Sequence, residues 1–446
     1  MLKRICAVVS AVIMFASIAV QNAPSASAVS FTPPFEVKSE AAYLINLDTG
    51  IVIYEKNANK KMYPASLTKI MTATLVLENV SDLDNTVITA PLEVFDELYL
   101  TGASSVGYCN GEIADANDLM HAMLMSSACE AAGILAYHVG GNSTQNFINM
   151  MNERAASLGC NDTHFVNSHG LFDENQYTTA RDMATITLHA LELPKFLDIA
   201  NTYEYTPKAT NKHEENWTTF YHTNKMLSKA SDNYCSFVKG IKTGTLDESG
   251  RCLVTMASKD GFNYLLVTLG APTDDPASHY TDHKNIYNWA FETFSFKKIL
   301  SITEKSRVKV RFGEERDYVL VVPDEEYSTL WPSSVDVSAI SEEIILNEDE
   351  VPAPVKKGDK LGRLKMSISG EPLCEVNLVA MNDISLSQID YNVALAKKFT
   401  DSKWFIRAFI FAGAASVLYI VLFISLTGRK KRKVKKVSHA GHSRRF

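Results

Sequence analysis

Cysteine is sparse and scattered in this chain. Seven occur in 446 residues, and no two stand as C-x-x-C or at metal-ligand spacing with a histidine, which argues against a thiolate zinc site or a dithiol redox pair. Cys6 falls in the leader described below, leaving Cys109, Cys129, Cys160, Cys235, Cys252 and Cys374. In an exported chain their pairing cannot be read from spacing, so disulfides and buried free thiols both stay open. The eleven histidines also lack ligand spacing; no metal and no organic cofactor is expected. In the body of the chain, basic residues are outnumbered by acidic ones. Nine Lys/Arg crowd the last nineteen residues without an acid, and Lys3 and Arg4 stand at the other end. The net charge of −7 therefore understates how acidic the stretch between is. That excludes nucleic acid as the expected partner. No internal repeat is evident.

What is present at the ends speaks of a membrane. Lys3-Arg4, an apolar run from Ile5 to about Val20 and Ala26-Ser27-Ala28 make the three parts of a secretory signal, residues 1–28. Residues 408–427 carry no charge and are long enough to span a hydrocarbon core. Trp404 and Phe405 stand before them and Arg429-Lys430-Lys431-Arg432-Lys433 behind, which marks the cytoplasmic side. The expected protein is single-pass in the cell membrane, its body outside and its basic tail, 428–446, inside.

Between the ends, the pattern reads as an α+β domain over 29–296 followed by a small all-β domain over 297–384 and a stem over 385–407. Ala42–Ile45 and Ile51–Tyr54 flank the turn Asn46-Leu47-Asp48-Thr49-Gly50 as paired strands. Pro91 to Asn110 reads as a turn-rich surface excursion. Asn117 is expected to cap a helix through Met125, with further helices over Glu130–Val139, from Ser143 through Leu158 and from Thr178 or Thr179 through Leu191. From about Phe237 the pattern turns to strands, and Asp282–Phe294 forms a last helix. Strands at both ends of this domain imply one antiparallel sheet shared by the first and the last. Arg307–Phe312 alternates as a strand of the second domain, and Val351-Pro352-Ala353-Pro354-Val355 reads as a connector.

The chain is organised around Pro64-Ala65-Ser66-Leu67-Thr68-Lys69, the opening of an apolar helix. Ser66 and Lys69 stand one turn apart, so the amine can reach the hydroxyl. A lysine serves as base for a serine only if burial, a cation or a helix N-terminus holds its amine neutral. The S-x-x-K spacing alone selects nothing, since it recurs at Ser236/Lys239, Ser295/Lys298 and Ser306/Lys309. Two later clusters single out the first. Ser126-Ser127-Ala128-Cys129 lies between two expected helices, and Lys242-Thr243-Gly244-Thr245 lies on an expected strand after Gly240. A second serine and lysine can relay a proton to a leaving amine. A glycine on the strand lets a substrate backbone pair along its edge. The N–H groups of Ser66 and Thr245 are candidates for an oxyanion hole.

S-x-x-K and K-T-G are motifs shared by β-lactamases and penicillin-binding proteins. More specifically, residues 38–295 resemble the low-molecular-mass penicillin-binding proteins that are serine-type D-alanyl-D-alanine carboxypeptidases. Phe165–Leu171 (FVNSHGL), Thr178–Asp182 (TTARD) and Gly240–Thr245 (GIKTGT) carry the likeness, and Lys356–Gly362 is similar to that family's C-terminal β domain. The resemblance implies a penicillin-binding, transpeptidase-like fold and removal of the terminal D-Ala from peptidoglycan stem pentapeptides. By it, Ser66 is the acylated nucleophile, Lys69 its base, Ser127 and Lys242 the relay, and Thr243 a ligand of the substrate carboxylate, with Gly244 and Thr245 beside it. β-Lactam antibiotics are then expected ligands. His169 and Arg181 are read as structural.

Two positions depart from the family's wording. The second motif usually has Asn two places after its serine, and Cys129 stands there. A thiol is a weaker donor than an amide, so turnover or selectivity is expected to differ. His279 stands roughly where relatives carry an arginine near the substrate carboxylate, which makes it a further candidate ligand. The alternatives are a catalytically weakened, membrane-tethered penicillin-binding scaffold or sensor, or a β-lactamase. The glutamate motif of the best-known lactamase class occurs only at Glu343–Asn347, beyond the third cluster, where it is a chance match.

Overall fold

The computed structural model describes residues 32–333, 335–368 and 371–437. The expected leader and residues 438–446 of the basic tail lie outside them. The chain divides into two compact units: one through Lys297 that also takes in Ser328–Val337, and one of Lys298–Tyr327 with Ser338 onward.

In the first unit, in chain order, come β1 (Ala41–Asn46), β2 (Val52–Lys56), a 3-10 turn (Ala65–Leu67), α1 (Thr68–Asn79), β3 (Val87–Thr89), α2 (Leu92–Leu98), β4 (Ile113–Asp115), α3 (Ala116–Met125), α4 (Cys129–Val139), α5 (Thr144–Ser157), α6 (Ala180–Glu192), α7 (Phe196–Ala200), β5 (Glu204–Tyr205), β6 (Phe220–Tyr221), β7 (Val238–Leu246), β8 (Gly250–Lys259), β9 (Phe262–Ala271) and α8 (Ser278–Thr293). Its main sheet runs β2-β1-β9-β8-β7, all antiparallel. β1 pairs with β9 from Ala41↔Leu269 to Asn46↔Tyr264, so the first and last long strands do share one sheet.

Both faces of that sheet are buried. Leu265, Val267 and Leu269 of β9 point into a core with the helices between the strands, while Tyr264 and Leu266 point into a second core with Ile286, Tyr287 and Ala290 of α8. Period-two alternation thus feeds two apolar layers from one strand. α1 is wrapped on all sides: every residue from Thr68 to Val76 is buried. A helix apolar around its circumference belongs in the middle of a domain.

Three local expectations are corrected. The polar stretch after Pro91 contains a helix, α2, which buries Val94 against the side-chain-free face of Gly133. The cap of α3 is Asp115, whose carboxylate accepts the Asp118 N–H at 2.8 Å; Asn117 lies inside the helix. An acid at that position also complements the helix dipole. The supposed connector at Val351–Val355 belongs to the second unit's sheet. There β15 (Glu350–Pro352) pairs in parallel with β11 (Ser306–Arg311), and Val355 is 4 % exposed.

The remaining elements are β10 (Phe294–Leu300), β11 (Ser306–Arg311), β12 (Tyr318–Pro323), β13 (Tyr327–Pro332), β14 (Ile340–Leu346), β15, β16 (Lys360–Ile368), β17 (Glu371–Ala380), α9 (Gln388–Thr400) and α10 (Lys403–Val437). The second unit is built on a six-stranded sheet ordered β14-β16-β17-β12-β11-β15, filled by Val308, Val319, Val321, Leu364 and Leu378. Lys403–Thr427 of α10 is long and apolar enough to cross a membrane and fits a membrane anchor. The six cysteines in the described residues are free thiols.

Ile70 is fully buried at the centre of the first core. Ile70→Ala is expected to cost about 2–5 kcal/mol, whereas Leu100→Ala, at an 88 % exposed position, should stay within about 0.5 kcal/mol. Urea unfolding of the two variants checks this.

Candidate active site

The approach to α1 is a strained turn. Ala65 has φ +47°, and Ser66 follows in the 3-10 segment. Two glycines let other chain segments close on it. A Cβ on Gly170 would stand 2.0 Å from the Ala65 carbonyl oxygen, and one on Gly244 would stand 3.2 Å from the Ser66 nitrogen. The 167–170 loop is clasped to α1: Asn167 Oδ1 accepts the Gly170 N–H at 2.7 Å, Gln176 Nε2 donates to that same oxygen at 3.0 Å, and Thr72 Oγ1 donates to the Ser168 carbonyl at 2.6 Å.

This clasp brings a carbonyl onto the lysine. Lys69 Nζ, fully buried, has three neighbours: Ser66 Oγ at 3.2 Å, Cys129 Sγ at 3.4 Å and the His169 carbonyl oxygen at 2.5 Å. A neutral amine has two hydrogens and one lone pair. It can donate to the carbonyl and the sulfur while its lone pair faces the serine hydroxyl. Burial pushes the Lys69 amine below its ordinary range, opposed by Cys129 and by the Glu130 carboxylate.

Lys242 is the second fully buried amine. It donates to the Thr243 carbonyl at 2.9 Å and lies well below its ordinary range, first through burial and then through repulsion from Lys69. Its strand, β7, is an edge of the sheet, so one side of its backbone is free to pair with a ligand. Before it, Gly240 (φ +46°) is pinned by Asn224 Nδ2 and Asn201 Oδ1 at 2.7 and 2.9 Å. Thr243 Oγ1 lies 2.6 Å from Thr223 Oγ1, and Thr245 is exposed.

Ser127 sits between α3 and α4 with φ +63° and is 6 % exposed. Cys129 opens α4 two residues on, and its backbone N–H donates to the Ser104 carbonyl at 2.8 Å. The geometry therefore brings Ser66 Oγ and Cys129 Sγ each onto Lys69 Nζ, with Gly244 against the serine turn. His279 is placed differently. It lies buried on α8, its ring 3.8 Å from that of Tyr280, whose hydroxyl donates to the Thr223 carbonyl. Burial and the nearby Arg251 push its pKa down to about 4, so at neutral pH it carries no charge.

Sequence reading missed three contributors. The His169 carbonyl reaches Lys69 across 100 residues, and its ring Nε2 is paired with Glu97 of the unexpected helix α2 at 3.1 Å. Glu130 is 2 % exposed, and its Oε1 accepts from Ser105 Oγ, Val106 N and Gly107 N at 2.7, 2.7 and 3.2 Å. Thr223 ties Thr243 to α8. Only Glu130, an acid set directly after the second cluster, carried a local signal.

The D-alanyl-D-alanine carboxypeptidase family model matches residues 26–273, more than half of the chain. The chain belongs to the D-alanyl-D-alanine carboxypeptidase family. Residues 294–385 match the C-terminal domain of penicillin-binding protein 5. Among relatives, D-alanyl-D-alanine carboxypeptidase DacF of Bacillus subtilis is 28 % identical over 78 % of this chain and 86 % of its own length, and DacA of Haemophilus influenzae is 27 % identical over 79 % and 86 %. The crystal structure of penicillin-binding protein 5 from H. influenzae is similar at TM-score 0.60 and 25 % identity, over 80 % of this chain and all of that one. The Streptomyces K15 DD-transpeptidase structure matches at TM-score 0.54 and 28 % identity, over 59 % of this chain and all of that one. The protein is thus a serine-type D-alanyl-D-alanine carboxypeptidase, and the family works through a serine acyl-enzyme.

Glu130 raises the proton affinity of Lys69, so removing its charge lowers it. Glu130→Gln keeps an acceptor oxygen for the Ser105–Gly107 segment. The acid limb of kcat/KM for D-Ala release should therefore move to lower pH in this variant. A pH–rate profile beside the unsubstituted enzyme checks the direction.

Proposed function

We propose that Ser66 Oγ attacks the penultimate D-Ala carbonyl of a peptidoglycan stem pentapeptide while the Lys69 amine takes its proton. The 3.2 Å approach of Nζ to Oγ, with Nζ fully buried, carries this reading. The N–H groups of Ser66 and Thr245 receive the developing oxyanion. The proton passes through Ser127 and Lys242 to the leaving nitrogen, the C–N bond breaks, and D-Ala departs. Water then attacks the ester, Lys69 again serving as base, and Ser66 is restored. The cyclic amide of a β-lactam is opened by the same attack.

The substrate lies along the free edge of β7, its terminal carboxylate at Thr243. His279, held neutral, can offer that end an N–H but no charge. Positive charge there comes from Arg251, which lies opposite Thr245 in the β7–β8 register and whose Nε is buried without a hydrogen-bond partner among the described residues. The site works outside the cell, with residues 1–28 as export signal, 29–296 as the catalytic domain, 297–384 as the β domain, 385–407 as stem, 408–427 as membrane span and 428–446 as cytoplasmic tail. The apolar helix at Lys403–Thr427 and the basic run behind it support that topology.

Ser66→Ala is expected to abolish both D-Ala release from a pentapeptide and labelling by fluorescent penicillin. Labelling of the unsubstituted enzyme without D-Ala release would instead favour a scaffold. Cys129→Asn replaces a weak sulfur donor beside Lys69 with an amide and should change acylation or deacylation severalfold. Equal rates for both steps, measured by stopped-flow labelling and by recovery of activity, would remove Cys129 from the account.

A further inference from the structure

Thr223 belongs to none of the three clusters, yet it stands between the second and the third. Its hydroxyl lies 2.6 Å from that of Thr243, and both residues are half-buried. Each hydroxyl has the other as its polar partner among the described residues.

The chain around Thr223 is locked. Its N–H donates at 2.8 Å to the carbonyl of Met125, the last residue of α3. Its carbonyl accepts the Tyr280 hydroxyl at 3.2 Å, and that hydroxyl's own oxygen takes the Lys225 N–H at 3.4 Å. On one flank the His222 ring is buried, with Nδ1 accepting the Asn224 N–H at 2.9 Å and Nε2 donating to the Ala200 carbonyl at 3.0 Å. Burial and the nearby Lys242 hold the pKa of that ring down at about 3, so at neutral pH the ring is uncharged and its tautomer fixed. On the other flank Asn224 Nδ2 donates to the Gly240 carbonyl at 2.7 Å, and its Oδ1 accepts the Met226 N–H at 3.0 Å. The Thr223 hydroxyl is therefore carried on a backbone that needs no ordering when a ligand arrives.

Counting hydrogens shows what the pair can do. Two hydroxyls hold two hydrogens, and the contact between their oxygens uses one. Either threonine can be the donor, so Thr243 can offer a ligand a hydrogen or a lone pair. A carboxylate only accepts, and it settles the direction: Thr243 donates to it and Thr223 donates to Thr243. A hydrogen bond received by Thr243 Oγ1 polarises its O–H and strengthens the bond it gives, here to a charged acceptor. A carboxamide carries hydrogens as well as an oxygen and leaves the pair divided between its two directions.

We propose that Thr223 is a positioning residue for substrate selection: by donating to Thr243 it commits the Thr243 hydroxyl to donation, and so tunes the enzyme to peptides that end in a free carboxylate. The inference rests on the placement of the substrate carboxylate at Thr243 proposed above. It puts part of the choice between a free and a capped peptide end in a residue that acts through Thr243.

The full-length enzyme in detergent micelles tests this with Nα,Nε-diacetyl-L-Lys-D-Ala-D-Ala and its C-terminal carboxamide, the released D-Ala and D-alaninamide being quantified by mass spectrometry. Thr223→Val keeps the shape of the side chain and removes the hydroxyl. It should lower the ratio of kcat/KM for acid over carboxamide about fivefold, the scale of one hydrogen bond. The loss should appear as a higher KM for the acid, because the carboxylate is held alike in the ground and transition states. Thr223→Ser should restore both values, and Thr223→Ala gives the same reading should the valine variant fail to fold. An unchanged ratio, an equal loss on both peptides or a loss confined to kcat overturns the role of Thr223. Thr243→Val separates this from the placement beneath it. An unchanged ratio in that variant overturns the carboxylate position and the inference with it, whereas a fall there beside an unchanged ratio in Thr223→Val overturns Thr223 alone.

Discussion

Burial of one amine organises this molecule. Lys69 has no surface in solvent, and no carboxylate stands within ion-pair distance of it among the described residues. An ammonium in such a place carries a desolvation penalty of several kcal/mol, so the neutral amine is favoured, and only the neutral amine can take a proton from a serine. The second buried amine, Lys242, is itself held well below its ordinary range by burial and by repulsion from Lys69. At Lys69, Cys129 and Glu130 pull the other way, so the basicity of Lys69 is a balance between burial and two neighbours on one helix turn.

Most of the surrounding structure serves to place partners on that amine. α1 is buried from Thr68 to Val76 so that Lys69 faces inward, and the Ala65 turn presents Ser66 one helical turn away. Gly170 and Gly244 let a loop and a strand edge close on that turn where any Cβ would collide or crowd. The Asn167–Gln176 clasp delivers the His169 carbonyl. The edge position of β7 leaves a row of backbone groups beside the serine, which is what an extended peptide needs.

The sequence disclosed some of this and hid the rest for definable reasons. Sheet closure by the first and last strands was legible because strands separated by turn residues framed a helical stretch. Ser66 could be told from Ser236, Ser295 and Ser306 only through the later clusters, since spacing alone is local. The His169 carbonyl was invisible, because a backbone oxygen leaves no residue-type signature. Helix α2 was hidden because its seven residues are too few for a helical period to register, with Val94 as its sole buried residue. The cap of α3 was misplaced by two residues because Asp115 and Asn117 are both good caps, and the strand ending at Asp115 decided between them. Cys129 was recognised as a departure from the family's wording, and contact with Lys69 at 3.4 Å now gives that departure a physical route to the chemistry.

The account stands on Ser66 being the acylated atom, and mass spectrometry of the penicillin-treated enzyme addresses that most directly. Trypsin should release the segment from Met62 to Lys69, which contains both Ser66 and Thr68. The account requires the penicilloyl mass on this segment, resolved by fragmentation to Ser66. An adduct on Thr68, or on a peptide carrying Ser127, Cys129 or any other residue in its place, would contradict it.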